Sequence, residues 1–278
     1  MAAKKNPPVP PSADQLSRIP PVFNMPDLER ARRRADIVYR RAGAEELKMD
    51  VYAPPGLAAG EKRPGVIFVH GGPMPPMALL PKDWGVYIGY GQSAAVSGFV
   101  GVTFNHRFFA PDRLADAEAD IAALIAHVRE NAEALGIDRE RLALWAFSGG
   151  GPFLAEAVRR PPPYIRALVF FYALLDLRPL AAKAKGAIDE KTAARLSPVL
   201  ALETTLGDVP PVFIGRAGKD NPGINGAIDQ FARSVQHKNV FLTLENHPQG
   251  QHGFEIRNND ARTSEIIRKA FDFLKTRL

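Results

Sequence analysis

The stretch from Leu142 to Pro152, which reads LALWAFSGGGP, constrains the fold of this chain more than any other. Its apolar run has the length of a buried strand and ends at Phe147, and Ser148 follows at once. The three glycines after Ser148 permit a turn too tight for side chains, and Pro152 suits the first turn of a helix. This order matches the G-x-S-x-G pattern of a nucleophile elbow, although Ala146 stands at the first small position.

A glycine-rich turn after a strand can also bind a phosphate group. The two common phosphate-binding patterns, G-x-G-x-x-G and G-K followed by Ser or Thr, are absent from the chain. A nucleophilic serine is therefore favoured over a nucleotide-binding loop.

Apolar runs of strand length alternate with amphipathic helical segments along most of the chain. The runs lie at residues 37–39, 47–51, 65–70, 99–104, 142–147, 165–171, 212–215 and 240–244, and the main helical segments at 112–136, 224–236 and 264–278. This order predicts an α/β fold with a mostly parallel central sheet and helices on both faces. The first two runs predict an antiparallel edge, and residues 172–208 are expected to form at most a small cap.

Length and charge distribution limit the number of domains and the class of partner. The 278 residues, 46% of them hydrophobic, suffice for one large α/β domain, predicted at residues 36–278. Residues 1–35 are predicted to be a flexible, basic, proline-containing leader, because residues 1–41 carry nine Lys or Arg against four Asp or Glu. The rest of the chain is close to neutral, so no nucleic-acid partner is expected. No apolar run reaches membrane-spanning length and no signal-peptide pattern is found, so we expect a cytoplasmic location.

Three residues of complementary chemistry each follow a predicted strand. Ser148 follows the run at 142–147, Asp220 follows the run at 212–215 through a glycine-containing turn, and His252 lies after the last run. The carboxyl ends of parallel strands share one edge of a sheet, so these side chains are expected to meet there. Their order along the chain, Ser then Asp then His, is that of nucleophile-elbow enzymes.

Other residues compete for the acid and base positions. The alternative acids are Asp176, Asp208 and Asp229. Only Asp220 follows a buried strand through a short turn and precedes the final strand. His247 is the alternative base, but the proline after it restricts its backbone, whereas glycines free the loop around His252.

A second glycine-containing turn, His70-Gly71-Gly72-Pro73, follows the run at 65–70. A tetrahedral oxyanion needs two preorganised N–H donors, and glycines let backbone amides approach closely. We expect Gly149 to supply one donor and the Gly71–Gly72 segment the other, with His70 as a structural residue of the turn. Since proline lacks an N–H, the amide of residues 71–74 that serves the oxyanion stays open. The predicted substrate-pocket residues are Phe147, Met74, Trp84 and Tyr87.

These groups suffice for acyl transfer without a cofactor. His252 would accept the proton of the Ser148 hydroxyl and later protonate the leaving group, while Asp220 would orient the imidazole. Neither a metal nor an organic cofactor is needed for these steps. The chain contains no cysteine, which excludes a thiolate nucleophile and cysteine-ligated zinc.

The chain resembles the α/β-hydrolases, and within them the dienelactone hydrolase and acetyl-esterase-like branches, over roughly residues 36–278. Five segments in order carry the resemblance: His70-Gly71-Gly72, Asn105-His106-Arg107, residues 136–148, Ala217-Gly218-Lys219-Asp220 and His252-Gly253-Phe254. The resemblance implies an α/β-hydrolase fold and a serine esterase with Ser148, Asp220 and His252 as its triad. The chain departs from the family at Ala146, where glycine is usual, and at Pro73, where some relatives have a third glycine. The best-known dienelactone hydrolases use cysteine at the elbow.

These observations favour a hydrolase of carboxylic esters with short or medium acyl chains, which acts on a small-molecule ester through an acyl-enzyme. An amide or acyl-peptide hydrolase is the nearest alternative. A non-catalytic binding protein of the same fold is another, because a fold alone does not determine an activity. A binding protein has no need of all three of Ser, Asp and His, which favours an enzyme. A homo-oligomer is compatible with the sequence.

Overall fold

A computed structural model of the chain describes residues 12–23, 25–74, 79–183 and 186–278. Its described residues form one sheet of eight strands in the order β1-β2-β4-β3-β5-β6-β7-β8. The strands are β1 Arg32–Ala42, β2 Glu45–Ala53, β3 Arg63–Val69, β4 Val100–Phe104, β5 Ile137–Phe147, β6 Ile165–Phe171, β7 Val212–Ala217 and β8 Leu242–His247. β2 pairs antiparallel with β1 and β4, and the remaining pairs are parallel. The predicted α/β fold, with a mostly parallel sheet and an antiparallel N-terminal edge, is confirmed.

Helices cover both faces of this sheet. They are α1 Ala13–Ser17, α2 Gly85–Val96, α3 Leu114–Glu130, α4 Ala132–Leu135, α5 Ala155–Arg159, α6 Arg178–Lys183, α7 Glu190–Arg195, α8 Pro198–Glu203, α9 Pro222–His237, α10 Phe254–Arg257 and α11 Ala261–Lys275. Side chains of α2 and α11 pack on one face, and those of α3, α5, α8 and α9 pack on the other. Because helices bury the central strands on both sides, these strands carry apolar side chains on both faces of the sheet.

Strand β5 shows how the sequence divides between the two faces. Leu142, Leu144 and Ala146 belong to one buried cluster, whereas Ala143, Trp145 and Phe147 belong to the other. Successive side chains of a strand point to opposite faces, so a continuous apolar run fills both clusters. This packing fixes the place where β5 ends and therefore the position of the residue that follows it.

The N-terminal region differs from the predicted leader at residues 1–35. Strand β1 begins at Arg32, inside that range, and the Arg33 side chain donates to the carboxylate of Asp50 at 3.0 Å. Asp50 is fully buried, so Arg33 neutralises an interior charge. Residues 12–23 also pack on the domain, with the Phe23 ring stacked on Phe271. Residues 1–11, which belong to the same prediction, lie outside the described residues.

The segment at 172–208, predicted as a small cap, contains α6, α7 and α8 among its described residues. Helix α8 lies against α5 and α9 and contributes Val199 and Leu202 to the buried cluster on that face. In α6, Leu180 is exposed, and both Leu180 and Lys183 border the cavity beside Ser148. The short helices therefore link the core to one rim of the candidate site.

Candidate active site

Ser148 occupies the sharp turn that the sequence predicts after β5. Its φ angle is 50°, in the left-handed region that a non-glycine residue rarely adopts, and residues 148–154 continue as a 3₁₀ turn before α5. A Cβ atom on Gly149 would overlap the carbonyl oxygen of Gly72, and one on Gly150 would lie 2.6 Å from the carbonyl oxygen of Val69. Only glycine fits these positions, because the elbow packs directly against the end of β3.

The structure brings Ser148, His252 and Asp220 into one chain of hydrogen bonds. Ser148 Oγ lies 2.7 Å from His252 Nε2, and His252 Nδ1 lies 2.7 Å from Asp220 Oδ2. The Asp220 side chain is only 4% exposed, whereas that of His252 is 40% exposed. A shielded carboxylate therefore holds one ring nitrogen, and the other ring nitrogen faces the serine at the edge of a solvent-accessible site.

Backbone hydrogen bonds connect the loops that carry Asp220 and His252. The N–H of Gly218 donates to the carbonyl of His247 at 2.8 Å, and the N–H of Lys219 donates to that of Gly250 at 2.9 Å. The loops after β7 and β8 are thus joined directly below the two side chains. This connection sets their spacing without relying on flexible side chains.

The alternative acids and base have other partners. His247 is buried, and its Nε2 lies 3.1 Å from both Asp260 Oδ1 and Thr263 Oγ1, at the start of α11. The Asp176 carboxylate accepts hydrogen bonds from Arg178 and Ser197. The Asp229 carboxylate accepts one from Arg216, and Asp208 is exposed. None of these four hydrogen-bonds His252 or Ser148 among the described residues.

The loop after β3 lies beside the serine, where the sequence places the oxyanion donors. A Cβ atom on Gly71 would lie 2.9 Å from the Cβ of Ser148. The N–H of Met74 donates to the carbonyl of Phe108 at 2.9 Å, and Pro73 has no N–H. Among the described residues, neither the Gly71 amide nor the Gly72 amide donates to an acceptor, so both remain candidate oxyanion donors.

Two stacked histidines support this loop from below. The rings of His70 and His106 lie 3.6 Å apart at an interplanar angle of 4°, and both residues are buried. His70 Nδ1 hydrogen-bonds the Gly71 carbonyl at 2.7 Å, and His106 Nε2 hydrogen-bonds the His70 carbonyl at 3.2 Å. Burial lowers the pKa of His70 well below its ordinary value and that of His106 to about 3, so both rings are neutral. His70 is thus a structural residue of the turn, as expected, whereas the stacking of His106 on its ring was not predicted.

Two cavities meet at Ser148 and His252. The first has a volume of about 350 Å³ and is lined by residues that include Phe147, Met74, Trp84 and Tyr87, the four predicted pocket residues. The second, of about 420 Å³, is bordered by Leu174, Pro179, Leu180, Lys183 and Ile224. An ester carries two substituents on its carbonyl carbon, the acyl arm and the alcohol arm. Two cavities that meet at one serine match this shape.

Tyr172 and Glu255 form a buried pair beside His252 that the sequence did not reveal. The Tyr172 ring lies edge-on to the His252 ring, with centroids 4.7 Å apart, and its hydroxyl donates to Glu255 Oε1. Glu255 is 3% exposed, and its Oε2 has no hydrogen-bond partner among the described residues. Burial raises the pKa of Glu255 to about 7, opposed by the Tyr172 hydrogen bond and by the nearby His252 and Arg257. No sequence pattern predicts this pair, because Tyr172 directly follows β6 whereas Glu255 lies in α10, far away in the sequence.

Over residues 12–23, 25–74, 79–183 and 186–278, His, Asp and Glu side chains form no cluster of three or more suited to a metal ion. No helix in the same ranges has both the length and the apolar character needed to cross a membrane.

Solved structures of the same fold include an esterase from a planctomycete. Thermogutta terrifontis esterase 2 with bound propionate matches with a TM-score of 0.72 and 20% identity, over 90% of this chain and 96% of that chain. The butyrate-bound form matches with a TM-score of 0.70 and 20% identity, over 90% and 95% of the respective chains. The form phosphoramylated by tabun matches with a TM-score of 0.72 and 20% identity, over 90% of this chain and 96% of that chain. At this level of identity the similarity establishes the fold.

Sequence comparisons identify the family. No curated protein matches this sequence. The BD-FAE family model matches residues 49–158, which include β3, β4 and the elbow. The model of the dienelactone hydrolase family matches residues 106–278, more than half of the chain and all three of Ser148, Asp220 and His252. The protein therefore belongs to the dienelactone hydrolase family.

Proposed function

We propose that this protein is a serine esterase that cleaves small carboxylic esters through an acyl-enzyme. Membership of the dienelactone hydrolase family supports a hydrolase activity. The observation that carries the serine mechanism is the unbroken hydrogen-bonded chain from Ser148 Oγ through His252 to Asp220, with 2.7 Å at each step.

In the proposed reaction Ser148 Oγ attacks the ester carbonyl carbon while His252 Nε2 takes the hydroxyl proton. Asp220 Oδ2 accepts from Nδ1–H, which keeps Nε2 free to act as the base and stabilises the imidazolium. The carbonyl π electrons move onto oxygen and form a tetrahedral oxyanion. When the C–O bond to the alcohol breaks, the leaving alkoxide takes the proton from Nε2. A water molecule then repeats the sequence on the acyl-enzyme and restores Ser148.

The amides of Gly72 and Gly149 are proposed as the two oxyanion donors. The Gly72 amide donates to no acceptor among the described residues and lies beside Gly149, which directly follows the nucleophile. The glycine backbones approach each other so closely that a Cβ at residue 149 would overlap the Gly72 carbonyl oxygen. Two fixed N–H groups in this position would stabilise the negative charge that develops on the carbonyl oxygen, and the loop would not need to reorganise.

The two cavities at Ser148 are proposed to receive the acyl and alcohol arms of the ester. Their volumes, about 350 and 420 Å³, fall in the range of small-molecule sites and support short or medium chains. The aromatic walls of the first cavity favour an apolar arm there, because apolar surface gains free energy on leaving water.

Ester hydrolysis by purified protein tests the proposal. Wild type and Ser148→Ala would be compared on 4-nitrophenyl acetate and butyrate, with a fluorophosphonate label detected by intact mass. We expect turnover and a single label in the wild type, and a loss of about 10⁴-fold or more in kcat, with no label, in the variant. Equal turnover in both proteins would refute the role of Ser148. A folded wild type that neither turns over nor labels would instead favour the binding-protein alternative.

A further inference from the structure

The N-terminal segment, residues 12–23, is seated on helix α2 by two glycines. A Cβ atom on Gly85 would lie 2.8 Å from the carbonyl oxygen of Arg18, and one on Gly89 would overlap the ring of Pro21. Any larger residue at these helix positions would displace the segment. The face of α2 is therefore shaped to receive this part of the chain.

The end of the segment is attached beside the candidate active site. The N–H of Val22 donates to the carbonyl of Glu255 in α10 at 2.7 Å. Phe23 is 8% exposed, and its ring stacks on Phe271 of α11 with centroids 6.4 Å apart. Since α10 begins two residues after His252, the segment is tied to the helix that directly follows the loop carrying the proposed base.

Helix α1 then directs Leu16 into the first cavity. A capping box fixes the start of the helix, because Ser12 Oγ accepts from the N–H of Gln15 and the Gln15 side chain accepts from the N–H of Ser12. Leu16 is half-buried and borders the first cavity together with Trp84 and Ile256. It faces the same cavity as Ser148, although 132 positions separate the two residues in the sequence.

We propose that Leu16 is a specificity-determining wall of the substrate cavity, which limits the length and bulk of the apolar arm of the ester. This inference rests on the proposed esterase function. A leucine side chain at the cavity boundary contributes apolar contact to an arm long enough to reach it, and it restricts the space available to longer arms. The N-terminal segment thereby belongs to the substrate site.

Chain-length profiles of Leu16 variants test the inference. The substrates are 4-nitrophenyl esters from acetate to octanoate, which vary the acyl arm, and n-alkyl acetates from ethyl to octyl, which vary the alcohol arm. Leu16→Ala removes the contact and Leu16→Trp fills the cavity. Ile19→Ala is the matched control, because Ile19 lies in the same segment and is not among the residues that border the cavity. Thermal unfolding of each protein reports whether the segment still packs.

We expect the preferred chain length to change in opposite directions in the two Leu16 variants. The change should appear in the substrate series whose varied chain binds in the first cavity. In Leu16→Ala, kcat/KM for the best wild-type chain should fall about fivefold relative to acetate, and the optimum should move to longer chains. In Leu16→Trp the optimum should move to shorter chains, while Ile19→Ala keeps the wild-type profile. An active wild type whose profiles in both series are unchanged by both Leu16 variants would overturn the inference and leave the esterase proposal intact. An inactive wild type would overturn both.

Discussion

Replacing Glu255 with glutamine should stabilise the protein increasingly as the pH rises. Glu255 is 3% exposed, and burial raises its pKa from the ordinary value of 4.5 to about 7. The folded state therefore binds this proton more tightly than the unfolded state does. The stabilising contribution of the protonated carboxyl is fully present below pH 4.5 and is lost as the pH rises through 7. At 1.36 kcal/mol per pH unit, ionisation of the buried carboxyl costs about 3 kcal/mol.

Glutamine is suitable because it keeps the shape of the side chain and an oxygen that can accept from the Tyr172 hydroxyl, but it does not ionise. The assay is urea unfolding of wild type and Glu255→Gln at several values between pH 4.5 and pH 8.5. The quantity of interest is the difference between their free energies of unfolding. We expect this difference to change by about 3 kcal/mol in favour of the variant across the range. Glu133→Gln, at an exposed position on α4, is the matched control for the loss of one carboxylate.

A difference between wild type and Glu255→Gln that stays constant across this pH range would refute the reasoning. It would mean that folding does not perturb the titration of Glu255, and hence that solvent or an ionic partner compensates the buried carboxylate. A change in the opposite direction would mean that the folded protein favours the charged form, as expected for an ion pair with a neighbour such as Arg257.

Three further substitutions test the remaining parts of the site and its support. Asp220→Asn should lower kcat by about 10³- to 10⁴-fold with little change in the melting temperature, because His252 loses its orienting acceptor; near-wild-type hydrolysis would exclude the proposed role. Gly149→Ala should abolish fluorophosphonate labelling and lower the melting temperature, since the added methyl group overlaps a backbone carbonyl; normal labelling would place the elbow elsewhere. Asp120→Ala should destabilise the protein by about 3–5 kcal/mol in urea unfolding, because it leaves the Arg107 guanidinium without its buried partner; a loss below about 1 kcal/mol would show that solvent compensates it.

Local patterns sufficed to predict the elbow and the class of fold. The predicted α/β-hydrolase fold and its family are confirmed, and both predictions depend on short segments with strict local requirements. The glycines after Ser148 illustrate this. A run of glycines predicts that another backbone segment packs closely against the turn, and in the structure the carbonyl oxygens of Val69 and Gly72 occupy that space. Strand β6 coincides with its predicted run at 165–171, since continuous apolar runs mark strands that are buried on both faces. The edge strands match less well, because β1 begins at Arg32, five residues before its predicted run, and β8 spans Leu242–His247 instead of 240–244.

Predictions that required knowledge of distant packing were less complete. The basic residues near residue 33 were predicted to lie in a flexible leader, whereas Arg33 pairs with the buried Asp50 of the neighbouring strand. A charge excess in the sequence gives no information about where its counter-charges lie. Likewise, nothing adjacent to His70 in the chain indicates that its ring stacks on His106, which follows a different strand.

The sequence by itself determined the sheet, the turn that presents Ser148, and the order of the three candidate catalytic residues, because each depends on neighbours within a few positions. Only the tertiary structure decided that Leu16 borders the cavity beside Ser148 and that the buried Glu255 carboxylate accepts a hydrogen bond from Tyr172. Both facts depend on which surfaces cover a residue after folding. Burial and the pKa that follows from it come from the low-dielectric surroundings that distant segments create together, and no local pattern encodes them.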